Sequence, residues 1–349
     1  MTDDSLTARQ NFTGKIALAA MATGGNLPYR RLCREFGADL TCSEMIMADK
    51  LKRGSRSELP LLRSHESETS FGIQLCGKSP ETMAEAALLA LDAGCHWLDL
   101  NFGCPIDLVV RRGAGAAMLK KPAKLGRIVA AVRAVCPLPL SVKIRAGWSA
   151  KKINAVAVAR ICEGAGADAV MLHGRTREAR YRYSADWDLI NQVAETVSIP
   201  VVGNGDILTP WDLEQRLDGT AVSSVLVARG ALIKPWIFTE LHRRESIPYR
   251  IASRWQVMRR YCEFATEYFG DDEKGQIRVK RFFLWHLGFW HRYRPFNRAD
   301  FEAALPAPLI QTRCDDPVGD DDCRLLASSD PDDHELIWRR VLDRDFPGE

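Results

Sequence analysis

The ten cysteines of this chain include no CxxC pair; they stand at positions 33, 42, 76, 95, 104, 136, 162, 262, 314 and 323. That scatter argues against a zinc site or a disulfide framework and reads as a reduced, cytoplasmic protein with no metal. No run of eighteen uncharged apolar residues exists, so no membrane-spanning helix is expected. Residues 1–10 carry Asp3 and Asp4 and no apolar stretch, so no secretory leader is legible there. A full dinucleotide fingerprint is also missing. Gly113-Ala114-Gly115-Ala116-Ala117-Met118 lacks the third glycine and has no strand immediately before it.

What is present suffices for a large core: 349 residues, 46% of them hydrophobic, fit one big domain and a smaller one. The net charge of +3 hides a division. Residues 299–349 hold fourteen Asp or Glu against five Arg, a net of −9, which leaves +12 on residues 1–298. A basic body of that size invites a polyanionic partner, although scattered Lys and Arg alone do not require one.

Short apolar, β-rich runs recur with helical stretches between them. Strands are expected at Ile16–Met21, Leu40–Glu44, Gly72–Leu75, His96–Leu100, Leu140–Ile144, Ala169–Leu172, Val201–Val202 and Val222–Val227. Eight strands alternating with helices, each strand nearly continuous in apolar residues, predict an α/β fold: a parallel (β/α)8 (TIM) barrel over residues 1–240. A doubly wound open sheet is the alternative. From about residue 240 no convincing strand follows. Ser253–Tyr268 and Gln276–Trp290 have helical spacing, so residues 241–349 are expected to form a smaller all-helical domain, with an acidic tail at 312–333 that reads as loop.

In such barrels the ligand sits at the C-terminal strand ends. Those ends read Met21, Glu44, Gln74, Asn101 with Cys104, Lys143 with Arg145, His173, Asn204-Gly205-Asp206 and Arg229-Gly230. Each alone has a plain explanation. His173 can be a rim histidine, Lys143 a snorkelling lysine and Cys104 a small apolar core residue. Polar groups at nearly every strand end are harder to dismiss. Gly103 and Pro105 hold Cys104 on a tight turn, which favours a proton donor or nucleophile. The loops after strands seven and eight, with Arg229, suit a phosphate. With Gln74, Lys143 and His173 they point to a flat phosphorylated cofactor, FMN, whose reduced ring Lys143 would stabilise.

Taken together and in order, Leu98-Asp99-Leu100-Asn101-Phe102-Gly103-Cys104-Pro105, Ser141-Val142-Lys143-Ile144-Arg145, Leu172-His173-Gly174-Arg175-Thr176 and Gly203-Asn204-Gly205-Asp206-Ile207 resemble the tRNA-dihydrouridine synthase family over about Lys15 to Tyr293. Gly25-Asn26-Leu27-Pro28, Ile106-Asp107-Leu108-Val109 and Arg229 to Trp236 are most similar to its eukaryotic type 3 branch, which acts on the variable loop. The zinc-finger extension of those enzymes is not expected from these residues, and Ala20 stands where the family usually has proline. The resemblance implies FMN-dependent reduction of the C5–C6 bond of tRNA uridines with NADPH or NADH. Hydride would pass from flavin N5 to C6 and a proton from Cys104 to C5. Asn101, Lys143 and Arg145 would hold the uracil; Met21, Gln74, Lys143 and His173 the flavin ring; Asn204, Gly205, Asp206, Arg229 and Gly230 the ribityl phosphate. A monomer is expected.

Between Leu241 and Arg294, twelve Lys or Arg against six Asp or Glu alternate with Trp255, Tyr261, Trp285, Trp290 and Tyr293. That mixture is read as phosphate-binding charge plus stacking surface, the bland alternative being a helical bundle with aromatic core. Three rivals remain: a small-molecule FMN oxidoreductase of dihydropyrimidine or dihydroorotate type, a Schiff-base aldolase using Lys143, and an RNA chaperone on a degenerate barrel.

Overall fold

Eight parallel strands follow the expected rhythm: β1 (Ile16–Leu18), β2 (Thr41–Cys42), β3 (Phe71–Cys76), β4 (Trp97–Asn101), β5 (Leu140–Arg145), β6 (Ala169–His173), β7 (Val201–Asn204) and β8 (Ser224–Val227). This is a computed structural model, and it describes residues 9–308, 310 and 321–343. Neighbours pair in the order β1-β8-β7-β6-β5-β4-β3-β2. The ring closes between β1 and the start of β2, where Ala17 bridges Leu40 and Leu18 N–H donates to the Leu40 carbonyl at 2.9 Å. The second strand is broken. Its continuation, Ile46–Met47, pairs with Leu75 and Cys76 farther along β3.

Several strands run past the expected ends, so that Asn101, Arg145, His173 and Asn204 are each the last residue of a strand. The first is shorter, stopping at Leu18. Helices Pro80–Asp92, Pro122–Arg133, Ala155–Gly164 and Trp187–Thr196 lie outside the sheet and pack one on the next. Two of them start at a proline, whose missing N–H costs nothing in the first turn. Trp187–Thr196 starts at Asp186, whose side chain caps the Leu189 N–H.

The barrel interior is filled by Ala17, Ala19, Cys42, Ala169, Met171, Val202 and Leu226 around two large rings, Phe12 and Trp97. These meet edge to face at 5.5 Å. Trp97 fits because Gly72 faces it: a Cβ there would lie 2.3 Å from the indole.

By chain contacts there are two compact units: Met1–Gly25, Asp39–Gly205 and Leu213–Ala228 form the first, and Asn26–Ala38, Asp206–Asp212 and Arg229–Glu349 the second. Within the second, helices Ile251–Phe269 and Glu273–Trp290 pack together, and Leu27–Glu35 lies against the former. Here the expectation of a stacking surface fails for four of its five rings, Trp285 being half-buried. Trp255, Tyr261, Trp290 and Tyr293 are all buried. Trp236 stacks on Tyr249 at 4.2 Å and meets Trp290 and Tyr293 edge-on. The rings are therefore part of this unit's core, packed with buried aliphatic residues such as Leu232, Ile237, Leu241, Met258 and Leu287. The Lys234–Glu240 ion pair is also fully buried in this unit. The tail is less irregular than expected. Asp321–Leu326 and Pro331–Asp343 are helices, each with acids in the first turn that suit the positive helix end. Residues 311–320 lie outside the described part. Among the described residues no helix is long and apolar enough to cross a membrane.

Candidate active site at the strand ends

Alternate residues of a strand face the same way; in β4 these are Trp97, Asp99 and Asn101, all buried. Asn101 sets the polarity of its surroundings. Its Oδ1 accepts the backbone N–H groups of Gly103 at 3.1 Å and Cys104 at 2.8 Å. Those N–H groups can only donate, so the amide nitrogen must face away from them. It donates to Gln74 Oε1 at 2.7 Å. Gln74 Nε2 in turn donates to Asp99 Oδ2 at 2.7 Å, and Ser141 Oγ donates to Asp99 Oδ1 at 2.6 Å. A buried chain of fixed direction therefore runs from the Cys104 loop to a carboxylate acceptor. Burial pushes Asp99 up to about 6, against the hydrogen bonds from Ser141 and Gln74 and the nearby Lys143.

Cys104 is partly exposed and packs beside Met47, Cys76, Val109 and Ala114. Its carbonyl accepts from Ala116 N–H at 3.0 Å. That approach needs Gly115, which has φ +56° and where a Cβ would lie 2.8 Å from the same oxygen. Burial pushes the thiol up; the Ile106 N–H, Arg145 and Lys143 oppose the shift without offsetting it. Cys104 thus stays protonated at neutral pH, the state required of a proton donor.

Lys143 and Arg145 project from β5. Lys143 Nζ donates to Asn204 Oδ1 at 3.1 Å. Desolvation first, and the neighbouring Arg145 second, lower its pKa to about 8. Arg145 is buried; its Nε donates to the Gly103 carbonyl at 2.9 Å, and its Nη1 to those of Thr176 at 3.1 Å and Arg180 at 3.4 Å. Among the described residues, neither cation forms an ion pair with a carboxylate. Both cations therefore stand in a partly desolvated place with neutral hydrogen-bond partners, an amide oxygen for Lys143 and backbone carbonyls for Arg145.

His173 is buried at the end of β6, with Nε2 3.4 Å from Arg175 Nη1 and its ring 6.3 Å from Tyr181. Asn204 ends β7, anchored by Nδ2 to the Leu226 carbonyl at 2.6 Å. Gly205 follows with φ +131°, and a Cβ there would lie 2.5 Å from that of Ala185. Met21 is partly buried against the barrel core. In the second unit, buried Asp206 has φ +56° and pairs with Arg229 at 3.3 Å, orienting that guanidinium. Gly230 has Ile207 O where a Cβ would be, at 2.2 Å.

Hydrogen bonds and adjacent strands bring Gln74, Asn101, Cys104, Lys143, Arg145 and Asn204 together. Sequence reasoning passed over Asp99, Ser141 and Gly115. For Asp99 the signal was present, since a charged residue at an inward position of an apolar strand is abnormal. Gly115 sits in the segment set aside as a failed fingerprint.

A closed parallel barrel that gathers a thiol and two cations at its strand ends defines a (β/α)8-barrel protein. Residues 17–292 match the dihydrouridine synthase (Dus) family, and the chain belongs to that family. A tRNA-dihydrouridine(47) synthase [NAD(P)(+)] of Coprinopsis cinerea is 40% identical over 350 residues, covering 96% of this chain and 51% of the relative. A tRNA-dihydrouridine(47) synthase [NAD(P)(+)]-like protein of Xenopus tropicalis is 41% identical, over 82% of this chain and 45% of its own. The chain spans about half the length of the curated relatives it matches. Among solved structures, histamine dehydrogenase from Rhizobium sp. 4-9 aligns with a TM-score of 0.51 at 15% identity, covering 72% of this chain and 49% of that one. An amine oxidase from Pseudomonas geniculata N1 gives 0.53 at 13%, covering 72% and 53%. At such identity they speak for the barrel fold alone.

Proposed function

We propose that this protein reduces the C5–C6 double bond of a tRNA uridine to dihydrouridine, with FMN as cofactor and NADPH or NADH as reductant. Position 47, for which the relatives are named, is the first to test. The observation that carries this reading is the presentation of Cys104. Asn101, part of a polar chain of fixed direction, holds the backbone N–H of Cys104, whose thiol burial keeps protonated beside two cations that, among the described residues, have no carboxylate partner.

The residues present fit a flavin. Lys143 is a partly desolvated ammonium with one neutral partner, and Ala20 and Met21 are only partly buried where they pack against the barrel core. Bound there, the flavin would supply the hydride. Met21, Gln74, Lys143 and His173 would hold its ring. Asn204, Gly205, Arg229 and Gly230 are the proposed phosphate holders, with Asp206 orienting Arg229. Cys104 gives its proton to C5 of the uracil. Asn101 and Lys143 orient the base carbonyls, and the positive charge of Lys143 and Arg145 favours the electron-rich state that precedes protonation. The basic stretch from Leu241 to Arg294, with twelve Lys or Arg against six Asp or Glu, is proposed to bind tRNA phosphates through surface charge.

The test is dihydrouridine formation in unmodified tRNA given NADPH, followed by mass spectrometry. Cys104→Ala is expected to keep bound flavin and lose roughly 10²–10⁴-fold in turnover, the usual worth of a general acid. Near wild-type turnover in that variant removes the role of Cys104. Reduction of free dihydropyrimidine precursors, insensitive to salt, would favour the small-molecule reductase instead.

A further inference from the structure

The segment between β6 and helix Trp187–Thr196 turns back over the Cys104 loop and is joined to it twice. On the buried side Arg145 makes the connection, donating to Gly103 O on one loop and to Thr176 O and Arg180 O on the other. On the solvent side the connection is Asp107, three residues after Cys104. Its Oδ1 accepts from Arg177 Nη2, and its Oδ2 accepts from Arg180 Nη2 at 3.1 Å. Arg177 is fixed without help from Asp107. Its backbone N–H donates to Gly147 O at 2.9 Å, and its guanidinium lies 4.9 Å from the Trp148 ring. Arg180 takes a left-handed backbone at φ +49°, which turns the chain here and places its carbonyl on Arg145.

We propose that Asp107 is a positioning residue for Cys104: by bridging Arg177 and Arg180 it fixes the thiol-bearing loop against the 176–183 segment. This rests on the function proposed above. The ion pairs contribute little to overall stability, because Asp107 and Arg180 are about half exposed. Their effect is directional. Two guanidinium donors meeting the two oxygens of one carboxylate hold it in a single orientation. Between Asp107 and Cys104 stand only Pro105, with its fixed φ, and Ile106, so that orientation is passed to the thiol with little slack. An error of about 1 Å at a reacting group costs on the order of 10²-fold in rate. A weak surface contact can thus matter greatly to turnover and hardly at all to folding.

The experiment compares Asp107→Asn, the Arg177→Gln/Arg180→Gln double variant and their combination, with Asp107→Glu as the conservative control. Alkylation by iodoacetamide, quantified at each cysteine by mass spectrometry, needs neither flavin nor tRNA. In Asp107→Asn the rate at Cys104 is expected to rise roughly fivefold, the equilibrium equivalent of losing one exposed ion-pair network, while that at Cys323 stays unchanged. The arginine variant should match it, and the combination should add nothing further. Turnover of Asp107→Asn on tRNA should fall at least about tenfold, with KM and the rate of flavin reduction by NADPH retained; Asp107→Glu should recover part of the loss. Unchanged Cys104 reactivity in both variants, or additive effects in the combination, overturns the proposal. An inactive wild type would instead refute the proposed function, and the alkylation result would still decide this one.

Discussion

Replacing Asp99 by asparagine isolates the carboxylate at the foot of the polar chain beneath Cys104. Burial moves this carboxyl from 3.8 to about 6. About two units corresponds to roughly 3 kcal/mol against the charged form at neutral pH. The folded carboxyl holds its proton more tightly than the unfolded one. The penalty is therefore absent below about pH 4 and complete above about pH 6, so this group makes the protein less stable as pH rises through that window. Asparagine escapes the penalty and keeps the geometry: its oxygen accepts from Gln74 Nε2, and its nitrogen donates to Ser141 Oγ. The Ser141 hydroxyl can then turn to the Leu98 carbonyl, 3.4 Å away. Urea unfolding at about pH 7.5 should find Asp99→Asn as stable as the wild type or more so, with the wild type gaining on it as pH falls to about 4.5. A variant destabilised by more than about 2 kcal/mol at neutral pH, with the gap closing in acid, would show that the native carboxyl is held low by its partners. The argument from burial would then be refuted.

Gly72→Ala should destabilise by about 1–3 kcal/mol or more, because the new methyl must displace the buried indole of Trp97, which is already fixed against Phe12; the urea midpoint measures this. Lys143→Met should separate stability from function. Removing a desolvated cation with no carboxylate partner should leave the urea midpoint at neutral pH undiminished, while flavin content after purification drops. Flavin affinity of the wild type should weaken as pH rises past about 8, where Lys143 gives up its proton.

The strands were legible because both faces of a parallel barrel are covered, which writes each one as an apolar run. Their last residues were less so: Asn101, Arg145, His173 and Asn204 are polar, and a rule that ends strands at polarity stops short of them. The helix Leu27–Glu35 follows the expected pattern, yet its membership of the second unit depends on contacts with Ile251–Phe269, more than two hundred residues away. In the helical unit the failure was of another kind. Aromatics among charges look the same in sequence whether the rings face solvent or one another, and here Trp255, Tyr261, Trp290 and Tyr293 are buried. Asp107 stood out only as part of a branch-specific motif, and its ion pairs had no signal, since its partners stand seventy and seventy-three residues later.

The chemistry of the mouth follows from one circumstance, that it is only partly wet. Desolvation disfavours charge, so it raises the Cys104 thiol and lowers the Lys143 ammonium. The two shifts have opposite consequences for reactivity. Cys104 becomes a more secure proton carrier, whereas Lys143 is drawn close enough to neutrality that an anionic ligand strengthens its charge on binding. A carboxylate beside Lys143 would have restored its pKa and occupied the positive charge. Asp99, whose charge acts on Lys143, is instead hydrogen-bonded to Gln74 and Ser141 and forms no ion pair with it. The same bonds that orient the Cys104 loop therefore keep the neighbouring cation available, and a substitution that frees Asp99 from Gln74 should disturb thiol placement and ligand binding together.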